Sequence, residues 1–357
     1  MAEIIATRSI PAAAWMRKLA LAAVLLGFIV VVLGAYVRLT AAGLGCPDWP
    51  GCYGHVTPLY AAHSVADGIV LPGGPVNVTK AWHEMIHRYA ASTLGLIIVV
   101  IAALGIAARR ESAARARFAF ALFAIVLLQG VLGMLTVTWQ LDPSIVTMHL
   151  LLGMTTLGLR WWFWMSMRAS DPQCLAPTAI AAGASRPRGG VWARRLAIAA
   201  LVVLGCQIAL GGWTSTNYAA LACPDFPTCQ GSWWPHMDFA HAFVFWRPIG
   251  IDYQGGVLSS PARVAIHFTH RLGALVTTCV LVAAAITVLK QCARKTSRVA
   301  AIVVLAALAT QLTIGISMVL RGFPLWLATA HNGGAAVTLL AVLALVHSLR
   351  ASRPFAH

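Results

Sequence analysis

The stretch Cys46-Pro-Asp-Trp-Pro-Gly-Cys52 returns 177 residues further along the chain as Cys223-Pro-Asp-Phe-Pro-Thr-Cys229. Near-constant offsets sustained over about 100 residues indicate an internal duplication rather than a chance likeness. The sequence is therefore predicted to contain two copies of one structural unit. Other residues return at an offset of 182, namely Gln129 as Gln311 and His149 as His331.

The composition indicates what kind of unit is duplicated. Of the 357 residues, 59% are hydrophobic and 10% are charged, and the mean hydropathy is +0.79. An average soluble domain carries about 25% charged residues, so the chain is neither an ordinary soluble enzyme nor a disordered protein. A membrane-spanning helix needs about 20 predominantly apolar residues. Eight stretches are predicted to be such helices: 19–37, 84–107, 118–138, 145–166, 196–214, 264–289, 299–320 and 325–348.

These stretches form two sets of four with the same pattern of links. In each set a long loop follows the first helix, a basic loop the second and a short turn the third. An even number of spans per set gives both copies the same orientation in the membrane. We therefore predict an all-α polytopic membrane protein whose eight transmembrane helices form two parallel, tandem four-helix-bundle repeats. The predicted parts are a cytoplasmic N-terminal tail at 1–18, repeats at 19–166 and 196–348, a cytoplasmic linker at 167–195 and a cytoplasmic tail at 349–357.

The loops account for the net charge of +16. If the N-terminus is cytoplasmic, 19 of the 26 Lys and Arg residues, Arg160 among them, and 3 of the 10 acidic residues belong to the cytoplasmic side. This distribution follows the positive-inside rule, so no nucleic-acid partner is needed to explain the basic residues. The predicted location is the cytoplasmic membrane, with both termini in the cytoplasm. In an alternative interpretation, Leu19–Val37 is a secretory signal peptide, which would remove one span and break the repeat.

Four histidines are predicted to lie at one depth in the bundle. His87 and His149 fall near the outer start of the second and fourth spans, and His270 and His331 hold the same places in the second copy. Each copy thus offers two imidazoles on different helices, which suits axial ligation of a haem from both sides. One alternative is that these histidines only pack between helices. Another is a zinc site, although too few Cys or carboxylate ligands accompany each pair.

The two copies differ at one ionisable position. Glu84 lies three residues before His87, on the same helix face, whereas His267 occupies the equivalent position in the second copy. A carboxylate beside a haem could move protons or stabilise developing positive charge, which suggests separate roles for the two pockets. The alternative is that Glu84 only pairs with Arg88. Arg88 and Arg271 could hold haem propionates, or they could anchor the helices at the membrane interface.

The repeated cysteine pairs are predicted to face the outside. Cys46 and Cys52 enclose five residues, as do Cys223 and Cys229. An oxidising outer compartment permits a disulfide within each pair. A reactive dithiol that exchanges with other thiols is the alternative. The remaining cysteines are expected to be reduced: Cys174, Cys206, Cys279 and Cys292.

In these residues the chain resembles the haem A synthases, the membrane enzymes that supply haem A to cytochrome oxidase. The resemblance covers roughly 19–348 and rests on the combination of motifs, since a single His-Arg pair is a weak signal. The motifs are Gly34-Ala-Tyr-Val-Arg38-Leu-Thr, Gly43-Leu-Gly-Cys-Pro-Asp-Trp-Pro-Gly-Cys52, Glu84-Met-Ile-His87-Arg88, His149, His270-Arg271 and His331.

The resemblance implies an oxidoreductase that converts the methyl group at ring position 8 of haem O to a formyl group, through a hydroxymethyl intermediate. It implies that the second repeat holds a haem b cofactor between His270 and His331. It also implies that the first repeat binds the haem O substrate near His87 and His149. Glu84 matches the functionally important glutamate of the family, and the cysteine pairs match its cysteine-containing branch.

The second copy departs from the motif after its first helix, where Ser215 and Asn217 stand in place of Arg38 and Thr40. This difference agrees with a division of roles between the copies. The expected partners are haem O and its synthase, cytochrome oxidase assembly factors, an electron partner that the sequence does not identify, and the lipid bilayer. A homo-oligomer is left open.

Three other functions fit part of the pattern. A dihaem b-type electron-transfer cytochrome would use all four histidines but would not call for Glu84 or unequal repeats. A haem transporter would hold one haem loosely and catalyse no reaction. A disulfide-exchange protein would depend on Cys46 and not on haem.

Overall fold

The computed structural model describes residues 10–66, 76–110, 112–169 and 188–350. Within these ranges the regular structure is helical, apart from two isolated β-bridges. The two short α-helices are α2 (Leu59–Ala66) and α7 (Phe239–Ala242), and a 3-10 turn covers Ala220–Ala222. The long helices are α1 (Ile10–Leu39), α3 (Val78–Ala107), α4 (Ala113–Thr138), α5 (Pro143–Ala169), α6 (Arg188–Thr216), α8 (Ser260–Gln291), α9 (Lys295–Leu320) and α10 (Leu325–Ser348).

The length and composition of the helices make the chain a multi-pass membrane protein. In the described part of the chain, seven helices are long and apolar enough to cross a membrane: α1, α3, α4, α6, α8, α9 and α10. Helix α5 has 27 residues, but polar residues such as His149 and Arg160 lower its mean hydropathy. The span predicted at 145–166 therefore stays a prediction. Exposed Leu96, Leu127 and Leu275 on other helices fit contact with lipid.

Polar caps make several helices longer than the apolar stretches from which they were predicted. Helix α3 begins at Val78 rather than at 84, because the side chain of Asn77 accepts a hydrogen bond from the Lys80 amide at 3.0 Å. The Asp142 carboxylate caps α5 by accepting from the Ser144 amide at 2.9 Å, and Pro143 fits the first helical position. These first turns of α3 and α5 are not predicted by the hydropathy of the sequence, because they lie before its apolar stretches.

The chain divides into two compact units. Unit 1 comprises Met1–Trp164, Ser215–Tyr218 and Phe243–Ser259. In unit 1, α1 packs against α3 and α3 packs against α4. Unit 1 therefore includes two segments that the sequence prediction gave to the second repeat. The buried Tyr253 lies in one of them, and its amide donates to the Gln140 carbonyl at 3.1 Å.

Unit 2 comprises Met165–Thr214, Ala219–Ala242 and Ser260–His357. Within it, α8 packs against both α7 and α9, and α9 packs against α10. The indole Nε1 of Trp213 donates to the Ala242 carbonyl at 2.9 Å, which ties α7 to α6. The helices α8, α9 and α10 are joined by short links, so neighbours along the chain are also neighbours in the unit.

Small residues allow close helix contacts inside unit 1. A Cβ added at Gly105 of α3 would lie 2.9 Å from the Cβ of Ala119 in α4. A Cβ at Gly27 of α1 would lie 2.8 Å from Nη2 of Arg160. Arg160 was assigned to the cytoplasmic charge, but its side chain is buried, with 3% of its surface exposed.

Candidate functional site

The four candidate ligand histidines lie near the starts of four long helices. His87 is in α3, His149 in α5, His270 in α8 and His331 in α10, each about two to three turns after the helix start. In unit 1, His87 and His149 are close enough to interact electrostatically. In unit 2, the same holds for His270 and His331. The structure thus brings together the predicted partners within each unit.

In unit 1 each of these imidazoles lies against a glycine of the neighbouring helix. A Cβ added at Gly34 of α1 would lie 3.0 Å from Cε1 of His87. A Cβ added at Gly133 of α4 would lie 3.3 Å from Cε1 of His149. Protein interiors are close-packed, so a larger residue at either glycine would displace the ring.

Unit 2 repeats this arrangement. A Cβ at Gly211 of α6 would lie 3.2 Å from Cε1 of His270, and one at Gly315 of α9 would lie 2.9 Å from Cε1 of His331. We call Gly34, Gly133, Gly211 and Gly315 the ring glycines. These glycines were not among the predicted site residues, although they return at the offsets of 177 and 182 that mark the duplication.

A glutamine side chain contacts one histidine in each unit in the same way. The Nε2 of Gln129 donates to the backbone carbonyl of His149 at 3.0 Å and lies 3.4 Å from Nε2 of the ring. Gln311 does the same to His331, again at 3.0 and 3.4 Å. The amide thus links the helix backbone at the histidine to its ring and restricts the ring orientation.

A third glutamine distinguishes the two remaining histidines. The Nε2 of Gln207 donates to the backbone carbonyl of His270 at 3.0 Å and lies 3.1 Å from Nδ1 of the ring. The equivalent residue in unit 1 is Val30, whose backbone carbonyl lies next to the His87 ring. His87 therefore lacks the glutamine contact that the other three histidines have.

The buried ring nitrogens fit a haem. Within the described residues, Nδ1 of His87, His149 and His331 is buried and has no hydrogen-bond partner. Most buried polar atoms in proteins are paired, so these nitrogens are available to a ligand or its surroundings. Two imidazoles per unit, on different helices and each backed by a glycine, would suit ligation of a haem from both sides. Across the described ranges, no group of three or more His, Cys, Asp or Glu side chains is placed to hold a metal ion.

Glu84 is buried in α3, one turn before His87, with 4% of its surface exposed. Its Oε1 accepts from Nη2 of Arg88 at 2.5 Å, so the ion pair that the sequence offered as an alternative is present. Its Oε2 also accepts from the backbone N–H of Cys46 at 2.9 Å. The carboxylate therefore connects the first disulfide loop to the helix turn that precedes a candidate ligand.

Unit 2 has a different side chain at this place. His267 is buried, with 4% of its surface exposed, and its ring lies edge-on to Phe323 with the centroids 6.3 Å apart. Nε of Arg271 lies 3.4 Å from Nε2 of His267. The carboxylate of Glu84, paired with Arg88, thus has the imidazole of His267 as its counterpart in unit 2.

Arg88 and Arg271 each donate to three backbone carbonyls of their own disulfide loop. Neither sequence alternative, a propionate contact or an interface anchor, foresaw these bonds. A guanidinium has five N–H donors in a fixed fork, which suits several carbonyls at once. Whether either arginine also contacts a haem carboxylate stays a prediction. The acceptors are Asp48, Pro50 and Gly51 for Arg88 at 2.5–3.3 Å, and Cys223, Asp225 and Thr228 for Arg271 at 2.7–2.9 Å.

The two cysteine motifs form disulfide loops. The sulfurs of Cys46 and Cys52 are 2.04 Å apart, and those of Cys223 and Cys229 are 1.94 Å apart, which confirms the predicted pairing. Of the other cysteines, Cys206, Cys279 and Cys292 are free, as expected. Cys174 lies outside the described residues.

An aspartate closes each loop. Asp48 accepts from the amides of Tyr53 and Gly54 at 2.6 and 2.9 Å. Asp225 accepts from the amides of Gln230 and Gly231 at the same two distances. Asp225 also accepts from the Thr228 hydroxyl, and this bond, followed by those from the amides, lowers the pKa of its carboxyl to about 2.

Arg38 connects two parts of unit 1. Its Nη2 donates to the backbone carbonyl of Ser215 at 2.6 Å, and its guanidinium lies over the ring of Tyr218 at 4.0 Å. Ser215 is the residue that the duplication aligns with Arg38. The second copy therefore departs from the motif at a residue whose backbone carbonyl binds Arg38 of the first copy.

The fold and the site define a class: an all-helical, multi-pass membrane protein with two pairs of histidines suited to haem ligation. Comparison with known proteins places the chain within that class. The COX15-CtaA family model, described as cytochrome oxidase assembly protein, matches residues 17–343. The chain belongs to this family.

Relatives from several bacteria are similar over nearly their full length. The chain is 37% identical over 343 residues to a haem A synthase of Shewanella oneidensis, which covers 94% of this chain and 96% of the relative. It is 26% identical over 352 residues to a haem A synthase of Novosphingobium aromaticivorans, covering 91% and 92%. A haem A synthase of Halalkalibacterium halodurans is 27% identical over 311 residues, covering 86% and 88%.

Proposed function

We propose that this protein is a haem A synthase that oxidises the C8 methyl group of haem O to a formyl group, through a hydroxymethyl intermediate, for cytochrome oxidase assembly. The observation that carries the proposal is a pair of glycine-backed histidines in each unit, with the buried carboxylate of Glu84 beside the pair in unit 1 where unit 2 has His267. The family and its relatives named haem A synthase support the same reaction.

The two histidine pairs would serve two haems. We assign His270 and His331 of unit 2 to a haem b cofactor, and His87 and His149 of unit 1 to the haem O substrate. A haem supplies one-electron redox chemistry, which the ionisable side chains of the chain do not. The residues of the chain bind and orient the two macrocycles. Close packing of the ring glycines fixes where each imidazole can point.

Glu84 would act on protons near the substrate. Its carboxylate lies one turn before His87, where it could accept a proton or stabilise positive charge that develops at the substrate methyl group. Arg88 holds the carboxylate in place at 2.5 Å, and the Cys46 amide fixes its other oxygen. Arg88 and Arg271 would position the site through the disulfide loops, and we retain a contact with haem propionates as a further part of the proposal.

We further propose eight transmembrane spans, with α5 as the eighth, in two parallel tandem repeats. The matched disulfide loops, ring glycines and glutamines support the duplication. The distribution of basic residues supports a cytoplasmic membrane location with both termini inside. Haem O synthase, oxidase assembly factors and an electron partner are the proposed associates, and a homo-oligomer is compatible with them.

A dihaem electron-transfer cytochrome gains no support, because it would not need Glu84 in one unit and His267 in the other. The two functions predict different outcomes for matched histidine variants. In His270→Ala and His331→Ala, the purified protein should lose its haem b. In His87→Ala and His149→Ala, haem b should remain while haem O conversion in the co-expressing host stops.

The outcome of these four variants decides the assignment. Circular dichroism of each variant checks that the helices are retained. Equal loss of haem b in all four well-folded variants would point to two cofactor haems and an electron-transfer role. Undiminished haem b in both unit 2 variants would overturn the cofactor assignment.

A further inference from the structure

Arg160 is a buried arginine that the haem-binding residues described so far do not include. It lies in α5, inside the predicted span 145–166, and 3% of its surface is exposed. Within the described residues its Nε and Nη1 atoms are buried and have no hydrogen-bond partner. The predicted spans contain one acidic residue, Glu84, which already pairs with Arg88. An arginine at such a place is costly, and residues of this kind usually have a function.

Unit 2 has apolar residues at the matching places. The offset of 182 aligns Arg160 with Val342, which is buried with none of its surface exposed. The offset of 177 aligns Gly27 with Leu204, which is 5% exposed. In unit 1 a Cβ added at Gly27 would lie 2.8 Å from Nη2 of Arg160, so the glycine leaves room for the guanidinium. The cation on α5 and the space for it on α1 therefore occur together in unit 1, and unit 2 has two larger apolar side chains instead.

The Arg160 guanidinium and Glu84 lie on opposite sides of the His87 ring along the helices. Gly34, against the His87 ring, and Gly27, against the guanidinium, are seven residues apart in α1, which is about 10 Å along the helix. Gly27 lies on the side away from the first disulfide loop. Glu84 lies on the side of that loop, where it accepts from a loop amide. A ring ligated by His87 would therefore have the carboxylate towards one edge and the guanidinium towards the other.

Haem O and haem b differ at one substituent of the ring. Where haem b carries a vinyl group, haem O carries a hydroxyethylfarnesyl chain whose hydroxyl is on the carbon next to the ring. This chain leaves the edge opposite to the two propionates, and the C8 methyl group is next to a propionate. A macrocycle between imidazoles of two helices stands along the helix axes. With its propionates towards Arg88, haem O would turn the methyl group to the side of Glu84 and the hydroxyl towards Arg160.

We propose that Arg160 donates a hydrogen bond to the hydroxyl of the hydroxyethylfarnesyl chain and thereby selects haem O over haem b in unit 1. The inference rests on the function proposed above and deepens it. A guanidinium has N–H donors only, and a hydroxyl oxygen can accept from them. The depth of about 10 Å suits this contact, because the hydroxyl extends beyond the ring edge on that side. A site built to bind a substrate hydroxyl discriminates against an analogue without it, since its own polar group is then left unpaired.

The same reasoning accounts for unit 2. Unit 2 is assigned to haem b, which has no hydroxyl at this substituent. Val342 and Leu204 are apolar, as the vinyl group is, and leave no buried donor to satisfy. The difference between the two units at these positions thus matches the chemical difference between the two haems.

The test compares the affinities of unit 1 for haem O and for haem b. Full-length protein with haem b in unit 2 is purified in detergent, each haem is added in steps, and binding is followed by absorbance. Gly27→Leu with Arg160→Val gives unit 1 the apolar pair of unit 2. This variant should bind haem O about 10–100-fold more weakly, the effect of losing a hydrogen bond to a charged group. Its affinity for haem b in unit 1 should not fall.

Arg160→Met is a second variant, which keeps Gly27 and a long side chain but removes the N–H donors. It should show the same selective loss of haem O affinity, so the proposal can be tested even if the double variant does not fold. Gly130→Ala is the matched control in unit 1, because a Cβ there would meet nothing within 4 Å. The control should keep the affinities of the unsubstituted protein for both haems. Circular dichroism and the haem b of unit 2 check that each variant is folded.

The inference and the proposed function fail in different ways. Equal weakening of haem O and haem b would mean that Arg160 contacts a group that both haems have, such as a propionate, or supports only the structure, and it would overturn the inference. Unchanged haem O affinity in the folded variants would overturn it as well. If the unsubstituted protein converts no haem O, the assignment as a haem A synthase is itself wrong, whatever the variants bind.

Discussion

Glu84 is the proposed catalytic residue, and its surroundings are compatible with a structural role and with a role in the reaction. It has two partners, Arg88 and the Cys46 amide, and both fix its orientation. A buried side chain of this kind is costly in a membrane unless it is paired, and such residues are usually functional. The ion pair therefore does not compete with a role in the reaction. It explains how a carboxylate can be kept next to His87.

Glu84→Gln should keep the haems and stop the conversion. The amide has nearly the same shape and can still accept from the Cys46 N–H, but it has no negative charge with which to accept a proton or stabilise positive charge. We expect unchanged haem b content and the loss of haem A from extracts of cells that supply haem O. A normal haem A yield in this variant would remove Glu84 from the mechanism.

Asp225 offers a pH test outside the membrane helices. Its carboxyl has a pKa lowered from 3.8 to about 2, first by the Thr228 hydroxyl and then by backbone amides. Because the pKa is lowered in the folded loop, the ionised carboxylate stabilises the loop fully above its usual pKa. This contribution is lost as the pH falls towards 2.

The amide NMR signals of Gln230 and Gly231 report this titration, since both amides donate to Asp225. We expect them to shift with a midpoint of about 2. Asp225→Asn is the control and should show no such transition. A midpoint at or above 3.8 would mean that the loop does not stabilise the ionised carboxylate.

Some site residues could be predicted from the sequence because their chemistry is distinctive. The four histidines and Glu84 are rare, ionisable residues in apolar stretches, and the duplication puts the histidines in register. The ring glycines and Gln207 have no such signal. A glycine has no side-chain chemistry, so its role appears only when the neighbouring helix places a ring against it.

At the scale of helices, the ring glycines leave the space that each histidine ring occupies against the neighbouring helix. Gly211 and Gly205 lie on the same helix, α6, but only Gly211 faces an imidazole. A Cβ at Gly205 would meet nothing within 4 Å, whereas one at Gly211 would lie 3.2 Å from His270. Alanine substitutions at Gly211 and Gly205 therefore separate the effect of the ring contact from the general effect of an added methyl group.

Gly211→Ala should displace the His270 ring and weaken haem b retention by roughly tenfold, at the low end of the effects seen for residues that support metal ligands. Gly205→Ala should retain haem b and raise the free energy of unfolding by up to about 1 kcal/mol, since alanine favours a helix over glycine. Haem content and thermal unfolding of the two variants check both statements. Equal haem loss in the two would show that the ring contact is not what matters.

The ends of the helices were harder to predict from the sequence than their existence. Apolar length located the spans, but α3 begins at Val78 because Asn77 caps it, six residues before the predicted start. The six added residues, 78–83, end at His83 and lead to Glu84, so the cap determines how far the site residues lie inside the helix. Capping depends on one side chain and is not visible in an average over a window.

At the scale of the whole molecule, the two compact units differ in composition from the two repeats that the sequence predicts. The duplication indicated two helical bundles, and the structure has two compact units. Ser215–Tyr218 and Phe243–Ser259 nevertheless belong to unit 1, where Arg38 and the Gln140 carbonyl hold them. Such contacts join residues about 100 to 200 positions apart, and no local pattern signals them.

The most direct test of the account is the haem content of the purified protein with and without a source of haem O in the host. Haem extraction followed by chromatography identifies each haem. We expect one haem b per chain in both hosts, with haem O, its hydroxylated form or haem A appearing only when haem O is supplied. Two haems b per chain, unchanged by the supply of haem O, would contradict a substrate site in unit 1 and a catalytic role for Glu84.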